Sequence, residues 1–307
     1  MSTLIVTEQT SCETWQWIDA DGASHTLGEA SGLVPGQWVG FGIPPTRRVD
    51  RRIPGRPGAY TLDRSYGERT ATLQVVVVAS SMSGLQQAID DWAERFNVLR
   101  GGGTLRHTRT DGVTVRRLNC DYEAGLEISQ AEGVWRAGAQ AALLSFFAAD
   151  PFWYDDTETT ETFAASGTSA AFFPIPNATT GSFITLTSSE VFGSLVVTND
   201  GDVPVYPTWT IEGPGSSITL RNVTTGKVIT LSANGGLTLT AGQTLEIDTR
   251  PGSTLIERDS ANVAAYLSDA SELWPLALGA NTIQIEMGGS TADSTVAISY
   301  RLAHLTP

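Results

Sequence analysis

Three histidines and two cysteines are the residues in this chain best suited to metal binding or nucleophilic chemistry. His25, His107 and His304 are far apart, and none stands at a spacing that places two ligands on one helix face or strand end. Cys12 and Cys120 are too isolated for a disulfide framework; they can pair only if the fold makes their strands neighbours. The acidic turn Asp19-Ala-Asp21-Gly22 has two of the carboxylates of a calcium loop but lacks the third acidic ligand and the distal glutamate, so it reads as an ordinary turn. Gly226-Lys227 lacks the leading glycine of a phosphate loop and reads as a hairpin turn. No G-x-S-x-G elbow occurs. Acids abound, but no spacing singles out a glycosidase pair. The sequence therefore predicts no catalytic residue, no metal site and no cofactor.

Charge narrows the partners. Residues 1–150 hold 14 Arg and no Lys against 17 acids, a balance of −3, and residues 151–307 hold 5 basic against 16 acidic residues, −11. The total of −14 argues against binding to nucleic acid or to anionic membrane surfaces. One strongly basic stretch stands out. RRVDRRIPGRPGAYTLDRSYGER (47–69) carries seven Arg against Asp50, Asp63 and Glu68. Arg47, Arg48, Arg51, Arg52 and Arg56 are assigned to a protein interface, because arginine pairs bidentately with carboxylates and is enriched in such contacts.

Two tryptophans raise a different possibility, a sugar platform. In NDGDVPVYPTWTIEGPG (199–215), strand alternation puts Val205, Pro207, Trp209 and Ile211 on one face and Tyr206, Thr208, Thr210 and Glu212 on the other. Trp209 thus belongs with the core. Pro204 and Pro207 mark a strand entry at a sandwich edge, since proline cannot donate to a ladder. Trp274, in a loop before proline, stays open between packing and a weak glycan contact.

These residues must be positioned by mainly β structure in two domains, as the length of 307 residues suggests. In residues 1–154, TATLQVVVVAS (70–80) reads as a strand buried on both faces. Leu85, Ile89, Trp92, Phe96 and Leu99 then recur at steps of 4, 3, 4 and 3, predicting a helix over 84–100, capped by Ser83 and stopped by Gly101–Gly103. A hairpin follows around Asp111–Gly112, then a long strand within 134–154 that ends at Asp150–Pro151. Residues 155–190, rich in Thr, Ser and Ala, read as a linker or loosely packed strands. From 191 to 307, turn signals recur about every ten residues between short alternating runs, the pattern of an all-β sandwich. The sequons at Asn177 and Asn222 are discounted. The start MSTLIVTEQTSCETW shows neither a basic region nor an apolar core, so no signal peptide is expected. The longest near-apolar stretch, 141–149, is half of a membrane span.

The order of these segments resembles the distal tail protein family of long-tailed, siphovirus-type bacteriophages. A sheet with one inserted amphipathic helix (70–100) leads to a hairpin and a strand ending in ADPFWY (149–154). NDGDVPVYPTWTIEGPG opens a second domain, and ITLRNVTTGKVITL (218–231), GQTLEIDTRPG (242–252), LWPLALGANTIQIE (273–286) and TVAISYRLAHL (295–305) follow in family order. The resemblance covers residues 60–305. It implies a sheet or barrel-like N-terminal ring domain and a C-terminal galectin-like β-sandwich. The implied assembly is a homohexameric ring at the distal end of the tail, in the virion, after synthesis in the host bacterial cytoplasm. Its implied partners are further copies of itself, the tail tube protein and the tail tip or baseplate hub protein. The implied role is structural and non-enzymatic, with a host-surface glycan as the alternative ligand of the sandwich.

Overall fold

The computed structural model describes residues 13–55, 57–127, 139–164, 191–252 and 255–307. It divides into two compact units. The first holds the residues up to Asp156 together with His304–Pro307, and the second holds Thr157–Ala303.

The first unit contains β1 (Thr14–Ile18), β2 (Ser24–Leu27), β3 (Leu33–Val39), β4 (Thr46–Arg51), β5 (Tyr60–Tyr66), β6 (Arg69–Val78), α1 (Met82–Arg95), β7 (Gly103–Thr108), β8 (Val115–Gly125), β9 (Ala139–Ala148) and β10 (Trp153–Asp155). The main sheet runs β2-β1-β7-β8-β9-β6-β3 and is not a closed barrel; β10 lies beside β8. Strand β8 joins the two halves of the sheet. Its first half pairs with β7 through Cys120, and its second half pairs with β9 from Asp121, past an irregularity between Tyr122 and Ala124. Gly125 permits the close approach there. It sits at φ +135°, and a Cβ would lie 1.9 Å from the Leu143 carbonyl oxygen. The enclosed core joins Trp15, Trp17, Leu73, Val75, Leu105, Leu118, Leu144, Phe146 and Trp153.

Strand β6 alternates buried and open positions, although its sequence suggests burial on both faces. Ala71, Leu73, Val75 and Val77 enter the core, whereas Val76 is half-buried and Val78 exposed, because no second layer covers that face among the described residues. The helix is shorter and starts earlier than its periodicity suggests. Ser81, not Ser83, caps it by accepting the Gly84 N–H at 3.1 Å. It ends at Arg95 because Asn97 leaves helical geometry and accepts the Leu99 N–H through its own side chain. Leu85, Trp92 and Phe96 are buried as expected, but Leu99 falls on a 3-10 turn and is 92% exposed. Two indole donors tie the helix down: Trp17 Nε1 to Arg95 O at 2.9 Å, and Trp92 Nε1 to Ser31 O at 3.1 Å.

The second unit contains β11 (Thr159–Ala164), β12 (Val191–Asn199), β13 (Thr208–Glu212), β14 (Gly215–Asn222), β15 (Lys227–Thr230), β16 (Thr238–Leu239), β17 (Thr244–Asp248), β18 (Leu255–Arg258), β19 (Ala261–Asn262), β20 (Gly279–Gly288) and β21 (Thr295–Tyr300). One sheet runs β11-β21-β13-β17-β18-β19 and the other β12-β20-β14-β15, with β16 beside β14. Strict alternation gives each sheet a buried face: Trp209, Ile211, Leu245, Ile247, Val296 and Ile298 on the first, and Val197, Ile218, Leu220, Ile283 and Ile285 on the second.

Three boundaries differ from those the sequence suggests. Strand β11 lies inside 155–190, the segment read as a linker or loosely packed strands, and pairs with β21 along all six residues, so a strand of the second unit lies ahead of residue 191. The final strand β22 (Ala303–His304) joins the first sheet beside β10, so the chain returns to the unit it left. Strand β13 is not at an edge; it lies between β21 and β17. Its prolines are tolerated because the ladder starts only at Thr208. Val205 makes an isolated bridge to Leu276, and the Pro207 carbonyl accepts from both the backbone and the hydroxyl of Thr249. Asn199 organises the turn before them. Its buried amide donates to Val203 O and Leu276 O and accepts from the Gly201 N–H.

Candidate functional site

The basic stretch forms a separate two-stranded ribbon. Among the described residues β4 pairs only with β5, and every residue of both strands is exposed. Arg47, Arg48 and Arg51 stand on β4 and Arg52 follows it; Arg56 lies outside the described residues. Register places Arg48 directly across from Arg64, a like-charge pair that a ribbon folding for its own stability would avoid. Apolar side chains share the ribbon: Val49 is 55% and Leu62 63% exposed, with Ile53 and Tyr60 also open. Its base is firmly held. The Gly67 N–H donates to Pro45 O at 2.8 Å, Arg47 pairs with Glu68, and Tyr66 meets Phe152 edge-on at 5.6 Å. The hydrogen bond from Arg47 holds the Glu68 carboxyl below its usual range.

A second arginine group has a role that the sequence does not show, and it includes Arg69, a member of the basic stretch 47–69 that is spent inside this chain. Arg69 opens β6 and is buried, donating to Pro151 O at 2.9 Å, Gly40 O at 3.1 Å, Gly42 O at 2.6 Å and Leu305 O at 3.2 Å. Burial brings its pKa down to about 10. Arg106 on β7 and Arg117 on β8 both bind Asp156, at 2.7 and 2.9 Å. Burial raises the Asp156 pKa, but the hydrogen bonds from Arg117 and Arg106 outweigh it, and the net shift is downward. Arg109 donates to Pro307 O at 2.6 Å and Arg116 to Thr306 O at 2.6 Å, while His304 meets Asp155 at 2.9 Å. Five arginines thus grip the segment leaving the first unit at 151–156 and the segment returning at 304–307. A signal existed for Arg69: strand parity puts it on the same face as Ala71, Leu73, Val75 and Val77. Nothing local marks the other four, because their partners lie 39 to 198 residues away.

The remaining candidates have structural places. Each histidine meets one carboxylate: His25 with Asp19, His107 with Glu13 and His304 with Asp155. Burial lowers the His107 pKa despite Glu13. The Asp19 turn closes on the backbone N–H groups of Asp21 and Ala23. Asp111 accepts from the hydroxyl and N–H of Thr114 and the N–H of Val113, which takes its pKa down to about 2. Cys120 is buried, with a thiol pKa pushed up to about 12; its pairing with Cys12 involves a position outside the described residues. Among the described residues no group of three or more His, Cys, Asp or Glu could hold a metal ion, and no helix is long and apolar enough to cross a membrane.

Trp274 is corrected from an open sugar candidate to a core residue. It is fully buried and meets Trp209, also fully buried, edge-on at 5.5 Å and 77°. Neither ring offers a face to a sugar.

Residues 20–148 match the family profile described as phage tail protein RIFT-related domain, and residues 200–304 match that of the siphovirus-type tail component, C-terminal domain. The two matches follow one another in the order of the two units. The chain belongs to the siphovirus-type distal tail protein family. The fold of this distal tail protein is similar to that in the crystal structure of phage SPP1 Dit (gp 19.1), described there as a paradigm of the hub adsorption apparatus in phages infecting Gram-positive hosts. The TM-score is 0.62 at 15% identity, over 94% of this chain and 99% of that one. A chain of the phage P2 baseplate in its activated conformation with calcium is also similar, with a TM-score of 0.52 at 11% identity over 94% and 97%. No curated protein sequence matches it. A distal tail protein has a structural role in the virion, and the ribbon β4–β5 lies inside the segment matched by the RIFT-related profile.

Proposed function

We propose that this distal tail protein is a ring-forming element, a homohexamer at the far end of the tail, which joins the tail tube to the tail tip or baseplate hub. Catalysis plays no part in this reading; the protein works by assembly. The observation that supports it is the exposed ribbon β4–β5. A two-stranded ribbon with open apolar side chains is marginal alone in water and calls for a protein contact. Arg47, Arg48, Arg51 and Arg52 form that contact in this reading, with a neighbouring subunit or with the tube; Arg56 is assigned with them from sequence. Six copies carry a formal −84, so the lumen repels phosphates and lets DNA pass without retention at physiological salt.

Negative-stain microscopy of the purified chain, alone and with its tube and hub proteins, tests the reading. The expected image is a ring with a central hole and six copies. Particles that stay monomeric in both conditions would refute it. The glycan alternative has lost its strongest residue with the burial of Trp274.

A further inference from the structure

We infer that the first unit carries a binding site for a short extended peptide, and that residues 304–307 of the same copy are its ligand, held releasably and not built in as core. The segment enters the first unit directly after Ala303, whose carbonyl still accepts the Asp202 N–H at 2.8 Å inside the second unit. Among the described residues, the core cluster of the first unit includes none of 304–307. Taking the segment away therefore removes no side chain from that core.

Recognition runs through the main chain. Three successive carbonyls each accept from a different guanidinium: Leu305 O from Arg69 at 3.2 Å, Thr306 O from Arg116 at 2.6 Å and Pro307 O from Arg109 at 2.6 Å. Arg69 opens β6, Arg116 stands on β8 and Arg109 follows β7. Strand β22 lies outside β10, the way a bound peptide adds to the edge of a sheet. Side chains contribute less. His304 meets Asp155 at 2.9 Å and Thr306 Oγ1 lies 3.4 Å from Arg109, while Leu305 and Thr306 stay half-buried. Donors aimed at carbonyls read an extended backbone, and their charge strengthens each bond without calling for an acid. The ligand class is thus an extended peptide whose side chains at 305 and 306 are exchangeable.

The donors are in place without the ligand. Arg69 is fixed by the carbonyls of Pro151, Gly40 and Gly42, whether or not Leu305 is present. Arg109 and Arg116 flank the β7–β8 ladder, whose register is set through Arg106–Arg117 and His107–Arg116. Such a preorganised site pays little ordering cost on binding. A segment tethered through Ala303 rebinds at an effective concentration on the order of millimolar, so a free peptide at that concentration competes with it. The chain crosses between the units at 156–157 and at 303–304; release of the segment leaves the first crossing as the one fixed at both ends.

The test uses the full chain with a photoreactive amino acid in place of Leu305, with isotope-labelled and unlabelled copies mixed in equal amounts. The expected products are single-isotope cross-links from position 305 to peptides of the first unit. The synthetic peptide RLAHLTP at about 10 mM should lower them by at least half. The same peptide carrying L305A/T306A should compete within threefold of it, and R109Q/R116Q in the chain should lower the links at least fivefold. In a second arm, a chain ending at Ala303 should unfold cooperatively and bind fluorescein-labelled RLAHLTP at least tenfold more tightly than the full chain does. Links that no excess of peptide reduces would overturn the inference, as would mixed-isotope links, which would make another copy the occupant. Failure of the altered peptide to compete would overturn recognition through the main chain. A shortened chain that does not fold, or that folds and leaves the peptide unbound, would make 304–307 part of the fold and not a ligand.

Discussion

Replacing Arg69 with methionine should destabilise the first unit by about 3–5 kcal/mol. The guanidinium donates to four carbonyls, those of Gly40, Gly42, Pro151 and Leu305. A hydrogen bond to a charged group contributes roughly 1.5–3 kcal/mol, so four contribute about 6–12 kcal/mol before any offset. Against this stands the cost of burying the cation. A fall in pKa from 12.5 to about 10 corresponds to about 3 kcal/mol at 1.36 kcal/mol per unit. Methionine restores most of the apolar stem and removes that cost, and some carbonyls regain water. The net loss then lies near the lower end, as when one partner of a buried charged contact is removed. In a unit of about 160 residues this lowers the melting temperature by roughly 6–20 °C. Hydrogen exchange followed separately on β6 and β13 peptides assigns the loss to one unit. Protection of β6 should drop while that of β13 stays. R69K should be intermediate, because an ammonium has three donors for four carbonyls. A methionine variant within about 1 kcal/mol of the parent would refute the assignment of Arg69 as a structural clamp.

Further outcomes follow from the same structure. W209A and W274A should each cost about 3–5 kcal/mol in chemical denaturation, and the double variant less than their sum, because the rings touch. The fragment 157–303 should unfold cooperatively, whereas 191–307 should be weaker, since it lacks β11 and the buried Phe163 near Trp209; equal melting profiles would contradict this. Stability of the first unit should fall with pH in two stages. The native pKa of His107 is lowered, so its contribution is complete above the ordinary 6.5 and is lost as pH falls below it. The native pKa of Asp156 is also lowered, so its contribution is present above 3.8 and is lost below. In H107Q, urea midpoints between pH 7 and pH 5 should flatten.

Much of this protein is determined locally and is legible in the chain. Parity alone sends Trp209 and Ile211 inward, because a strand side chain has only two directions. The 3.6-residue stripe finds Leu85, Trp92 and Phe96, and Asp111–Gly112 marks a real turn. The arginine run 47–52 is visible as a basic patch because charge is a composition. Tertiary structure decided the rest, where the determining partner is distant. The helix stops at Arg95, since Asn97 turns the chain before the stripe ends. Trp274 is core because Trp209 waits for it across 65 positions of chain. The arginines that clamp the chain, Arg69, Arg106, Arg109, Arg116 and Arg117, acquire their role only when segments 151–156 and 304–307 are brought together on one sheet. Sequence supplies each cation; the carbonyls and carboxylates that need it are gathered by the sheet order, which no local pattern encodes.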